Sequence, residues 1–268
     1  MFRIRRAIFL TAMCHQAYRL LENGRVVLPA GYHLVCPLSA RPPGGREEPY
    51  GFLAESRHDT VIAFRGTKLS KSFFDLAASL GIAQTPFPFV PSAGQTHSGF
   101  TELYRPMRKQ LFRHLGAAAR RKRLWITGHS LGGALAVYAA LDLAANTGFR
   151  RPAVYTLGSP RAGSPGFAEA FNRRVPVSFR LANIHDPVPS QPLKRYRLFW
   201  NREPWKYRHV RTLKELRFTT GSWLRNHDHI HYYMALARLD PVYAQALAER
   251  APGFAPRTAA LPRGGSAE

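Results

Sequence analysis

The chain has 268 residues, 45% of them hydrophobic, 12% aromatic and 21% charged. That composition excludes a disordered or low-complexity protein and suits one sizeable core rather than two. Thirty-nine Lys and Arg against 16 Asp and Glu give a net charge of +23, but the basic residues are spread along the whole chain, and no zinc-finger or RNA-binding signature accompanies them. Charge of this kind favours adsorption to anionic surfaces, including an anionic lipid surface, and makes nucleic acid an unlikely partner.

The start, MFRIRRAIFLTAMCHQAYRLL, has a basic front but a short apolar run and no small-x-small cleavage site. Leu10, Met13, Cys14, Ala17, Tyr18 and Leu21 recur at three- and four-residue steps, which predicts a first helix stopped by Asn23-Gly24. A start of this kind favours a cytoplasmic or membrane-peripheral location without excluding secretion. No run approaches the 18 apolar residues of a membrane span. Two cysteines, Cys14 and Cys36, leave the redox compartment open.

Pro37 to Pro49 reads as a loop, and YGFLAES and TVIAFRGT as two strands around a turn at Arg57, His58 and Asp59. Phe73, Leu76, Ala77 and Leu80 have the spacing of a short amphipathic helix, followed by a proline-punctuated loop that carries Phe87 and Phe89. A helix over about 101–119, the strand RLWIT, the small-residue helix LGGALAVYAALDLAANTG, the strand AVYTLGS, the helix PGFAEAFNRR and the strand VSFRLANIHD follow. YRHVRTLK reads as one more strand and DHIHYYMALARL as a last helix. Strands alternating with helices predict an α/β domain over residues 1–250, with helices on both faces of a mostly parallel sheet and functional loops at the strands' C-terminal ends. Residues 251–268 lack periodicity and read as a flexible tail.

Within TGHSLGG, Gly128, Ser130 and Gly132 form G-x-S-x-G between a strand and a small-residue helix, the context of a nucleophile on a sharp turn. Asp186, at the end of a strand and before a proline, has the position of an orienting acid. For the base, NHDHIHYYM offers His227, His229 and His231, and residue chemistry alone leaves His229 and His231 nearly tied. Alternating histidines also suggest metal ligands, but no H-E-x-x-H or cysteine partner appears, so no metal and no cofactor is expected.

Six pieces in fixed order carry a resemblance: VIAFRGT, THSGF, ITGHSLGGALA, YTLGSPRAGSPGF, NIHDPVPSQP and HIHY. Over roughly residues 5–240 the chain resembles the class 3, fungal-type triacylglycerol lipases of the α/β-hydrolase superfamily, and looks more like a compact bacterial relative than the secreted fungal members. The resemblance implies an α/β-hydrolase fold with a short lid, acyl transfer from lipid esters to water, Ser130 as nucleophile, Asp186 as acid and, through the family's H-x-x-Y pattern, His229 as base. It places the oxyanion hole on Thr67 and the backbone amide of Leu131, and the lid on residues 72–80. Phe73, Phe74, Leu76, Phe87 and Phe89 are then candidate contacts for acyl chain or membrane. Short-ester hydrolysis and phospholipid hydrolysis are the alternatives, and a noncatalytic basic binding protein on the same scaffold is the rival class.

Overall fold

The computed structural model describes residues 1–67, 81, 83–116, 122–149, 151–197 and 203–257. The first twenty-odd residues form helix α1 (Ile4–Asn23), whose last turn is closed by Gly24 at φ 68°, donating its N–H to Leu20. A left-handed residue at this position suits glycine, which has no Cβ to clash. Ile8, Leu10, Met13, Cys14 and Ala17 are fully buried, so this apolar segment is core.

Seven strands form the main sheet: β1 (His33–Ala40), β2 (Glu48–Glu55), β3 (Asp59–Phe64), β6 (Arg123–His129), β7 (Ala153–Leu157), β8 (Val177–Asn183) and β11 (Leu213–Leu216), side by side in that order. β2 runs antiparallel to both its neighbours, β1 and β3; β3, β6, β7, β8 and β11 are mutually parallel. Pro37 to Ala40, expected in a loop, belong to edge strand β1, where a proline is tolerated because one side of the strand has no ladder partner. The segment expected as strand over Tyr207 to Lys214 is strand only from Leu213, and before it Arg208 makes an isolated bridge to Gly163. Short ladders join β4 (Gln84–Pro86) to β5 (Gln95–His97) and β9 (Arg195–Tyr196) to β10 (Trp205–Lys206).

The helices cover both faces. On one side α2 (Ser98–His114), α3 (Leu131–Asn146) and α4 (Pro165–Arg174) share a core with Ile62, Phe64 and Ile126. On the other, α1 packs with α6 (His229–Ala237) and α7 (Pro241–Arg250) over Val61, Ala63, Tyr155 and Leu181. The neighbouring positions of β3 thus divide between the two cores, as the period of a strand requires. Helix α3 is buried from Leu131 through Leu143, and its Asp142 is kept there by Arg108 at 2.7 Å and the Tyr104 hydroxyl at 2.8 Å.

Two helices escaped the sequence reading. Short helix α5 (Trp223–His227) precedes α6, and α7 is capped by Asp240, whose side chain accepts the Tyr243 N–H, with Pro241 following. The tail expected from 251 is packed at its start: Phe254 is fully buried against Phe9, and the Gln16 side chain donates to the carbonyls of Gly253 and Phe254. Residues 258–268, and residues 72–80 expected to hold the lid, lie outside the described residues. Among the described residues no helix is long and apolar enough to cross a membrane.

Candidate active site

The parallel strands end on one edge of the sheet, and the candidate residues follow those ends. Gly66 and Thr67 follow β3, Ser130 follows β6, Gly158 follows β7, Asp186 follows β8, and His227 comes after β11 at the end of α5. Ser130 sits at φ 56°, ψ −130°, a left-handed conformation that costs a non-glycine residue about 1–3 kcal/mol. Its N–H donates to Leu157 across the strand ends and its carbonyl accepts from Gly133, so the turn is held from both sides.

Glycine is obligatory around this turn. A Cβ on Gly128 would lie 2.0 Å from the Gly132 carbonyl oxygen, and one on Gly132 would lie 2.4 Å from that of Arg65. Both neighbours are backbone and have nowhere to go. The turn therefore folds the end of β6 onto the start of α3 and points the serine away from both.

The Ser130 hydroxyl donates to His227 Nε2 at 2.8 Å, and His227 Nδ1 lies 2.7 Å from Asp186 Oδ2. All three residues are buried. Asp186 accepts two further bonds, from the Tyr232 hydroxyl at 2.7 Å and the Val188 N–H at 2.9 Å, and Tyr232 in turn accepts the Asn183 N–H. These donors hold the carboxylate in one orientation beside His227. Gly158, at φ +55°, lets the chain pass close by: a Cβ there would sit 2.8 Å from Asp186 Oδ2 and 3.0 Å from His227 Nδ1.

The imidazole that reaches Ser130 is that of His227, and not that of His229, on which the base was expected. Asp228 caps α6 by accepting the Ile230 N–H, which leaves His227 ahead of the helix, on the approach to the strand ends. His229 opens the helix and turns toward α1. Its ring stacks on Tyr18, with centroids 4.1 Å apart and planes 6° apart, and its Nε2 lies 3.0 Å from His15 Nδ1. It also lies 3.1 Å from Asp228; burial, which would raise the Asp228 carboxyl, is outweighed by this hydrogen bond and charge, and the carboxyl stays well below its ordinary range. The overlooked signal was the Asp that begins DHIHYY, a helix cap lying between the two histidines.

Thr67 is half-buried beside Gly66, and a Cβ on Gly66 would lie 2.6 Å from the Ser130 Cβ. Leu131 is the first residue of α3, a position whose N–H has no acceptor within its helix. Phe73, Phe74 and Leu76 lie outside the described residues. Phe87 and Phe89, expected at the substrate or membrane, pack elsewhere. Phe87 is buried among Phe89, Tyr138 and Phe167 in the core under α2 and α3, and Phe89 packs against Tyr104 with Arg108 over its ring. Among the described residues no cluster of three or more His, Cys, Asp or Glu is placed to hold a metal ion.

Residues 61–196, half of the chain, match the family described as Lipase (class 3). The chain belongs to the class 3 lipases. Among relatives of this lipase chain, the phospholipase A1 EG1 of Oryza sativa subsp. indica, named as chloroplastic/mitochondrial, is 29% identical over 235 residues, covering 74% of this chain and 52% of that protein. The secreted mono- and diacylglycerol lipase 1 of Fusarium solani is 30% identical over 140 residues, covering 51% of this chain and 40% of that one. The chain thus spans about half, or less, of the curated relatives it matches. The solved Rhizomucor miehei lipase propeptide complex superposes with a TM-score of 0.62 at 22% identity, covering 78% of this chain and 66% of that one, which supports the α/β-hydrolase fold.

These relatives are fungal and plant proteins and say nothing of a bacterial branch. The location favoured from the sequence is corrected by the Fusarium lipase, which is described as secreted. The basic, apolar start on which that expectation rested is helix α1 of the folded core.

Proposed function

We propose that this class 3 lipase chain is a serine hydrolase of carboxylic esters in lipids, with Ser130 as nucleophile, His227 as general base and Asp186 as its orienting acid. The observation that carries the reading is the buried relay from the Ser130 hydroxyl through both nitrogens of His227 to Asp186, on a turn strained at the nucleophile. His227 takes the proton as the serine oxygen attacks the ester carbonyl, and Asp186 stabilises the imidazolium. The Leu131 amide and Thr67 receive the oxyanion. The alcohol leaves with the proton from His227, and water, deprotonated in turn by His227, releases the acid from the acyl-enzyme.

The substrate is a lipid ester presented at an interface, and the net charge of +23 adds attraction to an anionic one. Phospholipid is the second reading, favoured by the likeness to a phospholipase A1. Hydrolysis of p-nitrophenyl esters of rising chain length, below and above their micelle concentration, tests the proposal. A rate jump at the interface is expected, whereas preference for short dissolved esters makes the protein a carboxylesterase. Ser130→Ala abolishes turnover and labelling by a fluorophosphonate; a serine variant as active as the parent, or a parent that neither hydrolyses nor is labelled, ends the reading.

A further inference from the structure

Behind the nucleophile lies a second buried relay that the chemistry above does not use. His129, the residue before Ser130, lies 2.6 Å from the backbone carbonyl of His227 through Nε2 and 2.6 Å from the Tyr18 hydroxyl through Nδ1. The Tyr18 oxygen also accepts the N–H of Gly66 at 2.9 Å. Every direction in this relay follows from chemistry. A carbonyl only accepts, so Nε2 of His129 carries a proton. Burial, with the neighbouring His227 and His229 adding to it, pushes His129 well below its ordinary range, so the ring is neutral and Nδ1 is an acceptor. Burial likewise raises the Tyr18 phenol, which keeps its proton and donates it to Nδ1. The polarity runs one way, from Gly66 N–H to Tyr18 O–H to His129, and from His129 N–H to the carbonyl of His227.

Those endpoints are the three moving parts of the proposed reaction. Gly66 precedes Thr67 and lies against the Ser130 Cβ, His129 opens the nucleophile turn, and His227 is the base. Tyr18 comes from α1, outside all three, and its ring is clamped by the His229 ring stacked on it. We propose that Tyr18 is a positioning residue that locks the oxyanion-side loop, the nucleophile turn and the base into one register, with His129 as its connector. The proposal rests on the serine-hydrolase reading and assigns His229 its place in this fold, as the clamp on Tyr18.

Tyr18→Phe keeps the ring and its stacking and removes one hydroxyl, leaving the Gly66 N–H and His129 Nδ1 without partners. Turnover per fluorophosphonate-titrated site then falls about tenfold or more, a change of about 1.4 kcal/mol in the barrier, with KM unchanged, because no substrate contact is lost. His129→Leu cuts the same relay and lowers turnover similarly. The double variant falls no further than the worse single one, the mark of residues acting as a unit. Amide exchange at Gly66, followed by NMR, quickens in Tyr18→Phe while exchange within the central strands stays slow.

A Tyr18→Phe enzyme that melts earlier but turns over like the parent at a temperature where both are folded gives Tyr18 a structural role only and overturns the proposal. So does a rise in KM alone, or unchanged exchange at Gly66. A parent chain inert toward esters and fluorophosphonate instead overturns the hydrolase reading, and with it any catalytic meaning of the relay.

Discussion

Replacing His227 and His229 in turn separates a base from a packing residue. In His227→Ala the Ser130 hydroxyl loses its acceptor at 2.8 Å, while Asp186 keeps the donors Tyr232 and Val188, so the fold survives. Loss of one buried donor to the carboxylate costs about 1–3 kcal/mol of stability. Loss of the base lowers turnover by about 10⁴- to 10⁶-fold, because triad members act together. His229→Ala removes the ring stacked on Tyr18 and the contacts to His15 and Asp228, all on the α1 side. The cost is about 1–3 kcal/mol, seen as a fall of about 2–4 °C in Tm for each kcal/mol. Its turnover drops by about tenfold at most, through loosening of Tyr18. Steady-state hydrolysis of a dissolved ester, with circular dichroism as the check on folding, reads both. An inactive, folded His229→Ala beside an active His227→Ala refutes the assignment and returns the base to the register that the H-x-x-Y pattern implies.

Tyr232→Phe removes the donor that orients Asp186 and the acceptor of the Asn183 N–H; turnover falls about tenfold, with KM held, in the same assay. Gly128→Ala forces a Cβ to within 2.0 Å of a backbone carbonyl; it costs at least about 3 kcal/mol in urea unfolding, or soluble protein is lost. Burial lowers His15 to about 3, His97 to about 4 and His209 to about 3, with like-charged neighbours adding to it at His15 and His209. Their folded values lie below the unfolded 6.5, so the unfolded chain binds more protons as pH falls from about 6.5 toward 3, and the stability that these groups supply at neutral pH is lost over that window. Each contributes a slope of up to about 1.4 kcal/mol per pH unit; urea titrations at pH 7.5 and 5 measure it, and His209→Gln flattens it.

Much of the fold was legible because local signals agreed with one another. The 3.6-residue stripe and Asn-Gly stop gave α1, and the small-residue run after Ser130 gave a helix buried all round. The signals failed where tertiary context decides. Edge strand β1 passes through Pro37, which an edge tolerates because one side of the strand needs no ladder donor. Phe87 and Phe89 sit in a loop of prolines and look exposed, yet that loop folds under α2 and α3 and fills a gap against Tyr138 and Phe167. Position in a loop says little about the direction of a large apolar side chain.

The base shows where motif spacing and backbone geometry part company. His227, His229 and His231 are chemically alike, and a pattern that counts back three residues from Tyr232 selects His229. In the fold, Tyr232 serves Asp186 from the first turns of α6, and the chain leaves that helix at its N-terminus through Asp228. A ring at 229, already on the helix, faces the α1 side; a ring at 227, before the cap, is delivered to the end of β6. The choice is made by the cap, one aspartate that separates short helix α5, ending at His227, from α6, starting at His229. The same turn hands the other histidine to Tyr18, so the residue excluded from the relay to Asp186 is the one that braces the relay behind the nucleophile.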